Sequence, residues 1–335
     1  MSKVTVLGSG GWGTAIALLL SSKGNNVKLW SFFEEETAQL IEFRENKKYL
    51  PGIELPDNIE FLSDIEEAVQ GAEYIVSAVP SKGVKNTSRE LAKYIDVEKQ
   101  ILVSVSKGID ADSYRRLSEI IKENIPGVKL AVLSGPSHAE EVARKMVTTN
   151  VVASDKTEVA EAVQDLFMCD YFRVYVSDDM AGVEYGGALK NVIALGVGIA
   201  DGLGLGDNAK AALMTRGMTE IARLGVKLGA KIETFYGLSG MGDLIVTCTS
   251  MHSRNRRAGV LIGQGKSAEE AIKEVKMVVE GVPAALAGYN LGKEAGVEMP
   301  ITTETYKILF ENKSAKDAAL GLMTRQKKHE TEIKA

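Results

Sequence analysis

The sequence predicts an α/β fold, with a doubly wound parallel sheet over residues 1–179 and an all-helical domain over residues 180–335. Three observations predict it. Short apolar runs rich in β-branched residues alternate with amphipathic stretches through the first half. A glycine-rich loop joins the first apolar run to the first helical stretch. After Ser177-Asp178-Asp179 the spacing of apolar residues becomes wholly helical. With 335 residues the chain has room for two domains of roughly 100–200 residues each.

In chain order, residues 4–7, 27–30, 74–78, 101–105 and 130–133 are continuous apolar runs bounded by turn residues. Such runs suit strands covered on both faces, the arrangement of a parallel sheet. Two later runs, near 151–154 and 172–176, extend it. Between the strands, residues 14–23, 34–44, 87–94 and 113–123 carry amphipathic helical spacing, and this alternation reads as a doubly wound sheet. In the second half, residues 183–199, 208–228, 258–262, 268–275, 283–295 and 302–310 read as helices. Pro283 falls in a first turn, and Gly296 and Pro300 close the element that follows it. No repeat or low-complexity tract interrupts the pattern.

Composition narrows the class. Apolar residues make up 45% and charged residues 25%, ordinary globular values that exclude disordered and fibrous chains. The net charge of −5 argues against nucleic acid or an anionic membrane as the main partner. Cys169 and Cys248 are too few for a disulfide framework and lack metal-ligand spacing, which fits a reducing, cytoplasmic setting. Met1-Ser2-Lys3 runs directly into the first strand and leaves no room for a secretory signal. Residues 192–205 are the most apolar long stretch, but Asp201 and several glycines break it well short of the ~20 residues a span needs, so no membrane insertion is expected. Glycine, at 33 residues, is the outlier and points to tight turns and close backbone approaches.

Gly8-Ser9-Gly10-Gly11-Trp12-Gly13 lies between the first strand and the first helix, the context that gives a G-x-G-x-x-G pattern its meaning. Gly8 serves the tight turn, Gly10 lets a pyrophosphate approach the backbone, and Gly13 permits close helix–strand packing. The helix N-terminus presents N–H groups and the positive dipole end to the anion. The plainer alternative is a glycine-rich turn with no ligand. The position that reads the ribose follows the second strand, at Trp30-Ser31-Phe32-Phe33-Glu34, and carries neither an acid nor a base at the strand end. The choice between NAD and NADP stays open there; Glu34 either reaches back to the ribose or simply starts a helix.

Three segments follow strand ends: Ala78-Val79-Pro80-Ser81, Ser106-Lys107-Gly108 and Ser134-Gly135-Pro136-Ser137. In open α/β sheets ligands bind outside the carboxyl ends of strands, which makes Lys107 a candidate binding cation rather than one more solvated lysine. Lys190 interrupts an otherwise apolar helix, where a lysine must snorkel or serve the chemistry. Partial burial and a nearby cation would lower its pKa and make it a general acid/base near neutral pH. His138, His252 and His329 stand in no recognisable dehydrogenase pairing. Asp243, beside Gly240 and Gly242, caps a helix, orients a lysine or accepts a substrate hydroxyl. Arg254, Arg256 and Arg257 precede an apolar helix, and arginine forks beside helix N–H groups suit a phosphate; a solvated helix start is the alternative. Glu280, in Val278-Val279-Glu280-Gly281, either reads a ribose or nicotinamide amide or belongs to a loop.

Taken together, the glycine loop, Val79-Pro80-Ser81, Ser106-Lys107-Gly108, Ser134-Gly135-Pro136, Gly187-Ala188-Leu189-Lys190-Asn191, Gly242-Asp243-Leu244, Ser253-Arg254-Asn255-Arg256-Arg257 and Val279-Glu280-Gly281 closely resemble the bacterial NAD(P)-dependent glycerol-3-phosphate dehydrogenases. The resemblance runs in order from residue 4 to about residue 325 and spans both domains. It implies a Rossmann domain followed by a helical domain, NAD or NADP as cofactor, a homodimer in the cytoplasm, and interconversion of sn-glycerol 3-phosphate with dihydroxyacetone phosphate for phospholipid synthesis. Matched by motif, Lys190 corresponds to the proton donor and acceptor, with Lys107, Asp243, Asn191 and Thr247 around the reacting carbon. Gly135, Ser137, Ser253, Arg254 and Asn255 correspond to substrate-holding positions. Gly11, Trp12, Phe32, Phe33, Ala139, Val278 and Glu280 fall at cofactor positions, joined there by Lys107 and Arg254. Phe32-Phe33 departs from the family, where many relatives carry arginine or histidine.

Two other readings compete. A related two-domain dehydrogenase for a β-hydroxyacid or ketopantoate would need a carboxylate receptor, a role the arginine cluster can fill. A nucleotide-binding sensor would have no need of Lys107, Lys190 and Asp243.

Overall fold

The computed structural model describes residues 1–330. The chain forms two compact units: Met1–Lys107 with Arg115–Met180, and Gly108–Tyr114 with the chain from Ala181 onward. The sequence-based division at 179/180 assigns residues 108–114 to the first domain; they belong instead to the second unit. The cause is Ile109, which is buried in the core of the helical unit, and Tyr114, whose hydroxyl accepts from Asn290 Nδ2 at 2.8 Å.

The first unit is an eight-stranded sheet ordered β3-β2-β1-β4-β5-β6-β7-β8. Its strands are β1 (Lys3–Leu7), β2 (Asn26–Trp30), β3 (Ile59–Leu62), β4 (Tyr74–Ser77), β5 (Ile101–Ser104), β6 (Lys129–Ser134), β7 (Thr148–Ala153) and β8 (Phe172–Ser177). Its helices are α1 (Gly11–Ser22), α2 (Glu34–Phe43), α3 (Ile65–Val69), α4 (Val84–Leu91), α5 (Leu117–Asn124), α6 (Ala139–Ala143) and α7 (Thr157–Phe167). The continuous apolar runs have the cause expected of them. Val6, Val76, Val103 and Leu133 enter one core, while their neighbours Leu7, Ile75 and Leu102 enter another on the opposite face. Burial on both sides leaves no polar alternation to read.

Two features depart from the expected sheet. The strand β3 is additional, an edge strand with Ile59 and Phe61 buried and Glu60 exposed. The sheet is also not wholly parallel, because β7 pairs antiparallel with β6. Between them the chain forms only the five-residue α6. That helix rises about 7.5 Å, too little to return the chain along a six-residue strand of about 20 Å.

The order reverses between β1 and β4, and the glycine loop follows β1 at that reversal. This is the crevice position where open α/β sheets take ligands.

The second unit is built from α8 (Met180–Gly202), α9 (Gly206–Lys227), α10 (Ile232–Phe235), α11 (Asp243–Thr249), α12 (Arg254–Gly263), α13 (Ala268–Val275), α14 (Gly281–Ala295), α15 (Pro300–Phe310) and α16 (Ala315–Met323). Central to it is α8, whose Leu189, Val192, Ile193 and Leu195 are fully buried. Gly198 and Gly202 of α8 face Gly259 and Gly263 of α12 with Cα atoms so close that a Cβ at Gly198 would stand 3.0 Å from the Gly259 Cα. Four glycines, two on each helix at one-turn spacing, thus set how closely the two helices pack. Gly296, at φ +66°, ends α14 in the left-handed region, as expected. Pro300, expected to close that element, is instead the first residue of α15, where its missing N–H costs nothing.

Candidate active site

In the first unit the glycine loop has the form a dinucleotide requires. Gly8 adopts φ +110°, and a Cβ there would press on the Ala78 carbonyl at 2.9 Å. A Cβ at Gly13 would collide with the Gly8 carbonyl, so only glycine lets α1 start this close to β1. Gly10, by contrast, has open space where a side chain would stand, and it precedes a twelve-residue helix with no side-chain cap. Unoccupied N–H groups beside open backbone fit a pyrophosphate. At Gly11 a Cβ would lie 2.9 Å from the Tyr49 carbonyl and 3.7 Å from the Ala139 methyl, so the fold brings Ala139 to the loop. Trp12 packs against the core of the unit, with its indole N–H buried and without a partner. Phe32 and Phe33, past the end of β2, are 73% and 59% exposed and stack edge to face on each other.

Lys107, Gly135 and Ser137 converge. Lys107 Nζ donates to the Gly135 carbonyl at 2.8 Å, and Ser137 Oγ donates to the same oxygen at 2.9 Å. Asn150 of β7, fully buried, backs Gly135 so closely that a Cβ on Gly135 would lie 2.6 Å from its Oδ1.

Sequence reasoning missed Glu36. It sits in the first turn of α2 and reaches back to the glycine loop: one carboxylate oxygen accepts from Ser9 Oγ and Ser31 Oγ, each at 3.2 Å. The other accepts from Lys48 Nζ at 3.0 Å and Tyr49 OH at 3.3 Å. Glu34, the acid proposed for reaching back, has no bond of this kind and starts α2.

In the second unit Lys190 is buried on α8, with 4% of its surface exposed. Its Nζ donates to the carboxylate of Asp243 and to Thr247 Oγ1 at 2.6 Å. Thr247 Oγ1 in turn donates to the Asp243 carbonyl at 2.6 Å. Asp243 and Thr247 stand four residues apart on one face of α11, as the helical repeat demands. Asp243 begins that helix without capping it; its carboxylate serves the lysine. One turn before Lys190, Gly186 lets α8 pack against Ser239 and Gly240, in the π-helical turn Leu238–Gly242 that leads into Asp243. The lysine's partner within its unit is therefore a carboxylate, the orienting role that the position of Asp243 left open. Beside the pair, burial pushes the Cys248 thiol up to about 12, against the opposing pull of the Lys190 charge.

Asn191, Asn255 and Gly281 are chained. Asn255 Nδ2 donates to Asn191 Oδ1 at 2.9 Å, and Gly281 N–H donates to Asn255 Oδ1 at 2.8 Å. This ties α8, α12 and the start of α14 together and fixes the segment carrying Glu280, which precedes Gly281, and the exposed Val278. Ser253 caps α12 by accepting from the Arg256 N–H at 3.2 Å, and Arg254 opens that helix. Of the three arginines, Arg256 is committed to an ion pair with Asp201. Among the described residues no group of His, Cys, Asp and Glu is arranged to hold a metal ion, and no helix is long and apolar enough to cross a membrane.

A glycine loop at the reversal point of a doubly wound sheet, with a buried lysine–carboxylate–threonine cluster on helices, defines the class as a dinucleotide-dependent oxidoreductase. The comparisons with known proteins narrow this. The chain belongs to the NAD-dependent glycerol-3-phosphate dehydrogenase family, whose N-terminal model matches residues 3–160 and whose C-terminal model matches residues 179–320. It is 54% identical, over 98% of its length and 99% of the relative's, to a Clostridium perfringens protein named glycerol-3-phosphate dehydrogenase (NAD(P)+). A Pelotomaculum thermopropionicum protein of the same name is 55% identical over 98% of this chain and 95% of its own. The crystal structure of glycerol-3-phosphate dehydrogenase from Coxiella burnetii superposes with a TM-score of 0.94 at 36% identity, covering 97% of this chain and 99% of that one.

Proposed function

We propose that the chain interconverts dihydroxyacetone phosphate and sn-glycerol 3-phosphate with NAD(P), and that Lys190 donates and accepts the proton. The observation that carries this reading is the burial of Lys190 Nζ between Asp243 and Thr247 in a chain of this family.

The nicotinamide, when bound, supplies or takes up the hydride. In the reducing direction the Lys190 ammonium would give a proton to the carbonyl oxygen, and in the oxidising direction the amine would take it back from the hydroxyl. Asp243 aims the amine, and Thr247 fixes it from a second side. A positioned acid of this kind contributes about 10²–10⁴-fold. Lys107, Gly135, Ser137, Asn191 and Asn255 bind the triose. Ser253 and Arg254, at the N-terminus of α12, take its phosphate. That phosphate contributes remote binding energy that orients the carbonyl. Gly8, Gly10, Gly11, Trp12, Gly13, Phe32, Phe33, Lys107, Ala139, Arg254, Val278 and Glu280 bind the cofactor.

The product serves phospholipid synthesis, and the chain works in the cytoplasm as a homodimer, without nucleic acid or a membrane as partner. Dihydroxyacetone phosphate and unphosphorylated dihydroxyacetone, each assayed with NADH and NADPH, test the substrate. Losing one or two charge-assisted bonds predicts kcat/KM about tenfold to a hundredfold lower for the unphosphorylated ketone. Equal values for the two, or no oxidation of either cofactor, would overturn the reading.

A further inference from the structure

The glycine loop fits a dinucleotide without saying whether its adenosine ribose carries a 2′-phosphate. In sheets of this type the ribose is read where the glycine loop meets the end of the second strand. The two hydroxyls at that junction, Ser9 Oγ in the loop and Ser31 Oγ just past β2, lie 2.8 Å apart, and both point to one carboxylate oxygen of Glu36. From the position of this carboxylate we infer that Glu36 is the specificity-determining residue at the adenosine ribose, selecting the free 2′-hydroxyl of NAD and disfavouring the 2′-phosphate of NADP. The inference rests on the glycine loop being the cofactor site.

The surroundings support a negative junction. Burial alone would raise the Glu36 carboxyl, but the hydrogen bond and charge of Lys48, with the hydroxyls of Ser9 and Ser31, hold it below the ordinary glutamate value, so it is ionised at neutral pH. The cations nearest in sequence are engaged elsewhere or neutralised. Arg44 donates to the carbonyls of Leu55, Pro56 and Ile59. The Lys47 ammonium lies 3.2 Å from the centre of the Phe43 ring. Lys48 is the ion-pair partner of Glu36 itself. Glu34 and Glu35, in the same first turn of α2, add negative charge, while Phe32 and Phe33 offer apolar faces and no donor. A 2′-phosphate arriving here meets a carboxylate and a lysine already paired with it; a hydroxyl can take the place of Ser9 Oγ on the carboxylate, since Ser9 Oγ also lies within donating distance of Ser31 Oγ.

Calorimetric titration of the full chain with adenosine 5′-monophosphate and adenosine 2′,5′-bisphosphate, and with NADH and NADPH, isolates the 2′ position from turnover. In each pair the chain should bind the nucleotide that lacks the 2′-phosphate more tightly, by about tenfold or more. Glu36→Gln, which keeps the shape and frees Lys48, should narrow that gap by strengthening the 2′-phosphorylated ligands. Lys48→Met, which leaves the carboxylate unneutralised, should widen it and serves as the test if Glu36→Gln fails to fold. A wild-type preference for the 2′-phosphate, or equal shifts in both ligand series, would refute the role of Glu36 while leaving the cofactor site standing. Absence of binding by all four nucleotides would refute the cofactor site and the inference together.

Discussion

Asp243 accepts a hydrogen bond from Lys190 inside the helical unit, and the two side chains expose only 1% and 5% of their surface. Two charges removed from water tolerate each other's presence but not each other's loss. Breaking such a pair leaves an uncompensated buried charge at a cost of about 3–5 kcal/mol. Asp243→Asn is therefore expected to lower unfolding free energy by that order in urea denaturation, even though Asn nearly matches the shape. Lys190→Met combined with Asp243→Leu should recover most of the loss, since a well-packed apolar pair is often neutral or better. An Asp243→Asn chain as stable as the parent would show that the pair does not carry charge in the folded state.

The helix carrying Lys190 is set against the one opening with Arg254 by four glycines. A Cβ at Gly198 would collide with the Arg256 carbonyl oxygen and stand 3.0 Å from the Gly259 Cα. Neither neighbour is a flexible side chain, so the helices must part. Gly198→Ala should cost about 1–3 kcal/mol, the range of overpacked cores, read as a lowered urea midpoint. It should also raise the KM for the phosphorylated triose, because α12 begins with Ser253 and Arg254. An unchanged midpoint would contradict the packing argument.

Glu220, wholly buried on α9, accepts from the N–H groups of Ile301 and Thr302 and so caps α15 with a carboxylate. Burial nevertheless pushes its carboxyl up to about 6, against the opposing effect of Thr302, the two N–H groups and Arg223. Its unfolded value is 4.5, so between these two values the folded chain holds a proton the unfolded chain has released. The contribution of Glu220 to stability is therefore fully present below about pH 4.5, declines as pH rises to about 6, and is flat above, a total of about 2 kcal/mol. The stability difference between parent and Glu220→Gln should move by roughly 1 kcal/mol in favour of the variant from about pH 5 to about pH 7. A difference that stays constant over that range would show Glu220 ionised at its ordinary value.

Much of this was legible in the sequence because it is local. Strands buried on both faces announce themselves as apolar runs, and a glycine loop between a strand and a helix states its own context. Asp243 and Thr247 share a helix face by spacing alone. What escaped was short, one-sided or non-local. The strand Ile59–Leu62 alternates Glu60 with apolar neighbours over four residues, and helices such as Ile65–Val69 and Ala139–Ala143 are too brief to display a period. The antiparallel turn of β7 depends on how far α6 can carry the chain, which composition does not encode. Glu36 is one of three acids in the first turn of α2, and only the fold brings it to Ser9, 27 positions away in the chain. That Asp243 orients a lysine is readable from the sequence; the direct bond to Lys190, 53 positions away, is set by the fold.

The account turns on the amine at position 190. Lys190→Ala, assayed with dihydroxyacetone phosphate and reduced cofactor alongside calorimetry of cofactor binding, tests it most directly. Turnover should fall by about 10²–10⁴-fold while the cofactor Kd stays at the parent value. Turnover close to that of the parent enzyme, in a folded variant that binds cofactor normally, would contradict the assignment of Lys190 as the proton donor.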